Sequence, residues 1–210
     1  MSFLRRPFPY RQYNAVLVLI GINILVYLGE LFLRRLDLTF YLSMIPIAAA
    51  RGWIWQFATY MFVHDPRSLS HILFNMLALF IFGSRVEARI GSLEFLLYYF
   101  LTGILAGVFS FLVYWFSGSP TVFLMGASGA IFAVQLAYAV LFPEAVLFLW
   151  GILPLKAPVM VLGFTVVEIV LMVTGLAGNV AHFTHLAGFA FGWLYFLIRF
   201  GINPWRAMRR

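Results

Sequence analysis

Apolar residues fall in long blocks along this chain. Blocks at 15–32, 70–86, 93–116, 126–142, 158–174 and 180–198 hold few charges, and Arg, Pro, Gly or acidic residues punctuate the gaps. Lengths of about 17–24 residues suit helices crossing a bilayer core of about 30 Å. Barrel strands would alternate in polarity over about 10 residues, and these blocks do not. The pattern predicts an all-α membrane protein, a six-transmembrane-helix bundle with a short central fourth helix, in one domain over 1–210. The first block lacks a small-residue cleavage site and reads as a retained span. Segment 33–69 mixes Arg34, Arg35, Asp37, Arg51, Asp65 and Arg67 with Phe40, Tyr41, Trp53, Trp55 and Phe57. It is predicted to lie partly in the interface as a long first outer loop. Ala145–Leu155 also reads as interfacial, Arg85–Gly91 as a charged turn and Gly175–Asn179 as a short one.

Composition removes the soluble alternatives. The chain is 64% hydrophobic and 10% charged, with a mean hydropathy of +0.98, too apolar for a soluble domain of this size. The charge of +7 does not form a basic face for nucleic acid. With six spans, Arg5, Arg6, Arg11, Arg85, Arg89, Lys156, Arg199, Arg206, Arg209 and Arg210 share one side. Arg34, Arg35, Arg51 and Arg67 take the other. Ten against four predicts both termini cytoplasmic. The compact form suits a bacterial plasma (inner) membrane. Absence of cysteine excludes disulfides, thiolate nucleophiles and Cys-ligated metals.

Span lengths then locate one serine. Block 93–116 spans roughly 36 Å as a helix, whereas block 126–142 spans about 25 Å. With cytoplasmic ends aligned, the fourth span starts about 10 Å below the outer surface, reached by an extended segment 121–125. Such backbone is tolerated only inside protein or a hydrated cavity. Ser128 stands on that floor, flanked by Gly126, Ala127, Gly129 and Ala130, whose small side chains let backbone amides approach a ligand. A helix start adds unpaired N–H groups for an oxyanion. Ser128 is a candidate nucleophile.

Topology brings polar partners to the same depth. His71 and Asn75, at i and i+4 on the second span, project from one face as donors suited to an oxyanion. His182 and His185 begin the sixth span. His185 heads a small-residue stripe through Gly188 and Gly192 that packs against Gly129 and Ala133, bringing its imidazole to Ser128. Phe132, one turn after Ser128, can stack on that ring. His182 is the competing base. The two histidines can also ligate a metal, but that site lacks carboxylate or thiolate partners, so no metal is expected. No Asp is placed as a third triad member, which leaves a Ser–His dyad. His64 reads as exposed or capping, and Asn23 as bonded to a neighbouring helix. The aromatic residues of the third span (Tyr98, Tyr99, Phe100, Phe109, Phe111 and Tyr114) read as mostly lipid-facing packing. Glu168 reads as a neutral carboxyl alone below the polar set, so that Glu168→Gln leaves cleavage nearly intact.

Taken together, His71-Ile-Leu-Phe-Asn75, Glu87-x-Arg89-x-Gly91, Gly126-Ala-Ser128-Gly129 and His185-x-x-Gly188-x-x-x-Gly192 resemble the motifs of rhomboid intramembrane serine proteases. The resemblance runs from Trp55 to the end of the sixth span. It implies a six-helix core that cleaves single-pass transmembrane protein substrates near the outer interface, among membrane lipids. Ser128 is implied as nucleophile and His185 as general base. His71, Asn75 and the Ser128 amide are implied as the oxyanion hole, with Gly126, Gly129, Phe132 and Gly188 in support. No cofactor is implied, and no extramembrane domain is expected to regulate the site. Substrates are expected to enter from lipid between the second and fifth spans, past Phe74. Family members often carry Trp-Arg where this chain has Trp55-Gln56, and some have Tyr at the position of Phe132. A rhomboid-like protein that binds helices without cutting them predicts loss of Ser128 or His185, and both are present. A small transporter predicts polar residues through the bilayer, whereas this polar set is expected to stop near the outer third.

Overall fold

The computed structural model describes residues 5–149, 151–175 and 182–209. The major helices are α1 (Ala15–Phe32), α2 (Leu69–Ile90), α3 (Ser92–Phe116), α4 (Ser128–Leu141), α5 (Ala157–Thr174) and α6 (His182–Phe200). Among the described residues, α1, α2, α3, α5 and α6 are long and apolar enough to cross a membrane. The 14-residue α4 is shorter, about 21 Å. Residues 176–179 of the expected turn, the first residues of the sixth block, Trp150 and Arg210 lie outside the described residues.

The shortest helix is the most enclosed. Ala130, Ala133, Ala137 and Ala139 of α4 have no exposed surface, and α3 and α6 pack directly on it. Small side chains allow that approach, because helix association within lipid depends on close van der Waals packing. Tyr98 of α3 donates from its hydroxyl to the Ala133 carbonyl at 2.6 Å. This corrects the lipid-facing reading of the α3 aromatics: Tyr98, Tyr99 and Tyr114 are buried, since α3 lies against the centre of the bundle.

Other expectations change for local reasons. Arg85–Gly91 is not a turn: α2 stays helical to Ile90 and stops at Gly91, whose φ is 84°. The buried Glu87 makes that continuation tolerable. Its oxygens accept from the Ala15 and Val16 amides at 2.6 and 2.9 Å, capping the start of α1, and from the Ser92 hydroxyl at 2.5 Å. Among the described residues Asn23 bonds within α1 rather than across helices, donating to the Leu19 carbonyl at 2.8 Å.

The fold is not wholly helical either. The segment expected to be interfacial gives a hairpin of β1 (Val146–Leu149) and β2 (Leu153–Lys156), paired antiparallel with Phe148 opposite Pro154. Both strands are edges, so a proline that cannot donate is tolerated. Gly151, at φ 72°, makes the turn.

The 33–68 segment folds into short helical turns tied down by buried polar groups. Glu30 accepts from the Thr39 hydroxyl at 2.7 Å and the His64 amide at 3.1 Å. Gln56 is fully buried. Its carbonyl accepts from the Ile45 amide at 3.0 Å, and its amide group donates to the Phe40 and Tyr41 carbonyls at 3.3 Å each. Glutamine, with both donor and acceptor, anchors this segment without a charge.

Candidate active site

The site is built where that segment meets the chain descending into α4. Met44 and Leu124 exchange two backbone hydrogen bonds at 3.0 Å, Ile47 N–H donates to the Pro120 carbonyl at 2.9 Å, and Gly126 N–H donates to the Tyr60 carbonyl at 2.9 Å. Protein thus satisfies non-helical backbone that lipid could not. Gly126 has a φ of 115°, and a Cβ there would lie 3.0 Å from His71 Nε2. Only glycine suits that conformation and that approach. Ser128 then opens α4, where the first N–H groups of the helix have no intrahelical partner.

From α6, His185 places Nε2 2.7 Å from Ser128 Oγ. Two features hold it there. A Cβ built on Gly188 would collide with the Gly129 carbonyl, and one on Gly192 would lie 3.1 Å from the Ala133 Cβ. Phe132 stacks on the imidazole with centroids 4.5 Å apart and planes 6° from parallel. His182, the competing base, faces Glu168 instead.

α2 supplies the other wall. His71 Nδ1 accepts from the Asp65 amide at 3.4 Å, which leaves the proton of the neutral ring on Nε2, the nitrogen nearest Gly126. Asn75 donates one amide N–H to the His71 carbonyl at 2.7 Å and has a second to offer. Asp65, His71, Asn75, Phe123, Leu124, Met125, Ser128 and His185 together line an open cavity of about 460 Å³. Its arrangement can take a proton from Ser128 at one side and present donors to a developing oxyanion at the other.

Two residues depart from their sequence readings. His64 is not exposed: it is fully buried, its ring 5.0 Å from that of His71, and neither ring nitrogen has a partner among the described residues. Burial lowers its pKa to about 4, so it is neutral above that pH. Its neighbour Asp65 is held below the usual carboxylate range, chiefly by the Arg67 amide that donates to it at 2.9 Å.

Glu168 is not alone below the polar set. One oxygen lies 2.5 Å from His182 Nδ1 and the other 3.0 Å from His185 Nδ1. Glu168 precedes the α5 terminus at Thr174 by six residues, about 9 Å, and α6 begins at His182. Counting back from that end of α5 was the signal that brings Glu168 level with the histidines. A carboxylate partner for them is therefore present, and donor atoms of Glu168, His182 and His185 fall within 4.8 Å of one another.

Comparison with known proteins matches the same region. The family model described as Rhomboid domain covers residues 51–202, which include every residue of the cavity and the Glu168–His182 pair. The chain is 27% identical over 124 residues to "Rhomboid protease GlpG" of Haemophilus influenzae, covering 59% of this chain and 60% of that protein. It is 31% identical over 140 residues to "Rhomboid protease AarA" of Providencia stuartii, covering 58% and 48%. With "RHOMBOID-like protein 12, mitochondrial" of Arabidopsis thaliana it shares 33% identity over 137 residues, covering 58% and 40%. The matches thus take in about half the length of these relatives. On the strength of the family match, this chain belongs to the rhomboid family.

Proposed function

We propose that this protein is an intramembrane serine endopeptidase working through a Ser128–His185 dyad. The observation that carries the reading is the 2.7 Å separation of Ser128 Oγ and His185 Nε2, on different helices and facing one cavity. Neutral His185 takes the hydroxyl proton as Ser128 Oγ attacks a peptide carbonyl, then returns it to the leaving amine. The oxyanion is held by His71 Nε2–H, the free N–H of Asn75 and the Ser128 amide, beside the positive end of α4. Water entering the cavity then resolves the acyl-enzyme, and no cofactor takes part.

The substrates are single-pass transmembrane helices, which arrive through lipid between α2 and α5. Phe74 of α2, 56% exposed, forms part of that entrance. A helix must unwind to free the carbonyl that is attacked, so residues that weaken helix near the outer interface favour cleavage. The membrane is a bacterial inner membrane, crossed six times with both termini cytoplasmic.

The test is cleavage of a transmembrane reporter in detergent with a metal chelator present. Wild type should cut, and Ser128→Ala and His185→Ala should each lose about 10⁴-fold or more in rate. Cutting by Ser128→Ala overturns the nucleophile assignment. Wild type that binds several reporter helices and cuts none is the rhomboid-like helix-binding protein instead.

A further inference from the structure

The Glu168 carboxylate sits mid-helix on α5, 14% exposed, among residues otherwise suited to lipid. An ionisable group there is costly unless its oxygens are paired, and such residues are commonly tied to function. Both oxygens face an imidazole Nδ1, that of His182 on one side and that of His185 on the other.

The two nitrogens of His185 therefore point in opposite chemical directions: Nε2 to the Ser128 hydroxyl, Nδ1 to Glu168. To accept the serine proton at Nε2, the neutral ring must carry its own proton on Nδ1. A carboxylate beside Nδ1 favours that tautomer and stabilises the imidazolium formed on attack. The 3.0 Å contact is outside hydrogen-bond alignment at rest, so Nδ1 has no formal partner. A small rotation of the carboxylate or ring aligns it, and catalytic hydrogen bonds often tighten in this way once substrate is bound. The short bond to His182 keeps the carboxylate from turning away, while Phe132 fixes the plane of the His185 ring.

We propose that Glu168 is a positioning residue, which holds His185 in the Nδ1–H tautomer and stabilises its imidazolium, with His182 anchoring the second carboxylate oxygen. The proposal rests on the Ser128–His185 reading. The proton balance is simple: the Ser128 proton moves to Nε2, Nδ1 keeps its own, and Glu168 stays ionised. A bound metal is the rival use of the same residues. Donor atoms around tetrahedral zinc sit roughly 3.3 Å apart at bond lengths of about 2.0 Å. The 2.5 Å separation of Glu168 and His182 fits a hydrogen bond better.

The experiment measures kcat and KM on a transmembrane reporter for the purified full chain and its Glu168→Gln and Glu168→Asp variants. Side-chain ¹⁵N shifts of His185 and thermal melting are recorded in parallel. Glutamine presents either an N–H or a weaker acceptor to Nδ1. Glu168→Gln should lower kcat about 100-fold with KM within about threefold, and should shift His185 toward the Nε2–H tautomer. Glu168→Asp should recover about tenfold of that loss. A kcat within about threefold of wild type in Glu168→Gln, with Ser128→Ala and His185→Ala inactive, overturns the proposal and leaves the dyad standing. Activity in either of those two variants breaks the dyad reading instead. Should Glu168→Gln fail to fold, Glu168→Asp and His182→Asn decide by the same kcat and tautomer readouts, and unchanged values overturn the proposal. Stoichiometric zinc binding that is lost in Glu168→Gln, with wild-type activity abolished by chelator, also overturns it in favour of a metal site.

Discussion

Gly188→Ala adds one methyl group near the site without touching a reacting atom. The new Cβ would lie 2.7 Å from the Gly129 carbonyl carbon and in still closer collision with its oxygen. Carbon atoms pack at about 3.5–4.0 Å, so α6 must retreat from α4 by roughly 1 Å. Gly129 follows Ser128 in the chain, and Gly188 lies one turn after His185, so the retreat is transmitted to the 2.7 Å Ser128–His185 contact. A misplacement of about 1 Å at reacting groups costs on the order of 100-fold in rate. Overpacking should also destabilise the chain by about 1–3 kcal/mol, offset in part by the helix preference of Ala over Gly, up to about 1 kcal/mol. Gly163→Ala on α5 is the control, because a Cβ there meets nothing within 4 Å. The assay is reporter cleavage by both variants with melting followed in the same detergent. Gly163→Ala should match wild type, and Gly188→Ala should lose about 100-fold in kcat/KM while still folded. A folded Gly188→Ala within about threefold of wild type would refute the claim that this helix contact sets the dyad distance.

Two further outcomes follow from the buried polar groups. Folded His64 stays neutral down to about pH 4, whereas the unfolded chain takes its proton near pH 6.5. The unfolded state thus binds more protons between those values, and stability should fall by about 3 kcal/mol as pH drops through that window. His64→Phe should lose correspondingly less between pH 7 and 4.5 in thermal melts, and equal losses would refute the assignment. Gln56→Ala strands the Ile45 amide and removes the side-chain donor from the Phe40 carbonyl, while the Tyr41 carbonyl keeps the Trp55 indole N–H at 3.0 Å, and should destabilise the protein by about 2 kcal/mol. A loss below about 1 kcal/mol in the same melts would show that the 33–68 segment is anchored elsewhere.

What was legible in the sequence follows from the range of the physics involved. Apolar block length is local, so a multi-helix membrane protein was readable, and so was the short fourth helix. The stripe Gly188–Gly192 carries its message in residue size, because only small residues let helices approach so closely. Glu168 was read as alone because it falls mid-block in the fifth span, whereas its six-residue distance from the Thr174 end of α5 sets its level beside the histidines. The fate of His64 depends on packing between an irregular segment and α2, where no periodicity announces burial. The hairpin at 146–156 was hidden because four-residue apolar strands look like any short interfacial stretch. Gln56 reads as a departure from the Trp-Arg pattern, yet its three bonds depend on backbone geometry that a sequence does not display.

The bonds between Met44 and Leu124 have a consequence for how the protein is made. Met44 and Tyr60 leave the ribosome long before Leu124 and Gly126, so their bonding groups must wait for the chain to return. Unpaired backbone groups in hydrocarbon cost several kcal/mol each, which favours keeping the early segment at the wet surface until then. The base arrives later still, because His185 follows Ser128 by 57 residues. A nascent chain halted anywhere between them carries the serine with no histidine to activate it. On the proposed dyad, the order of residues thus delays activation of Ser128 until α6 inserts.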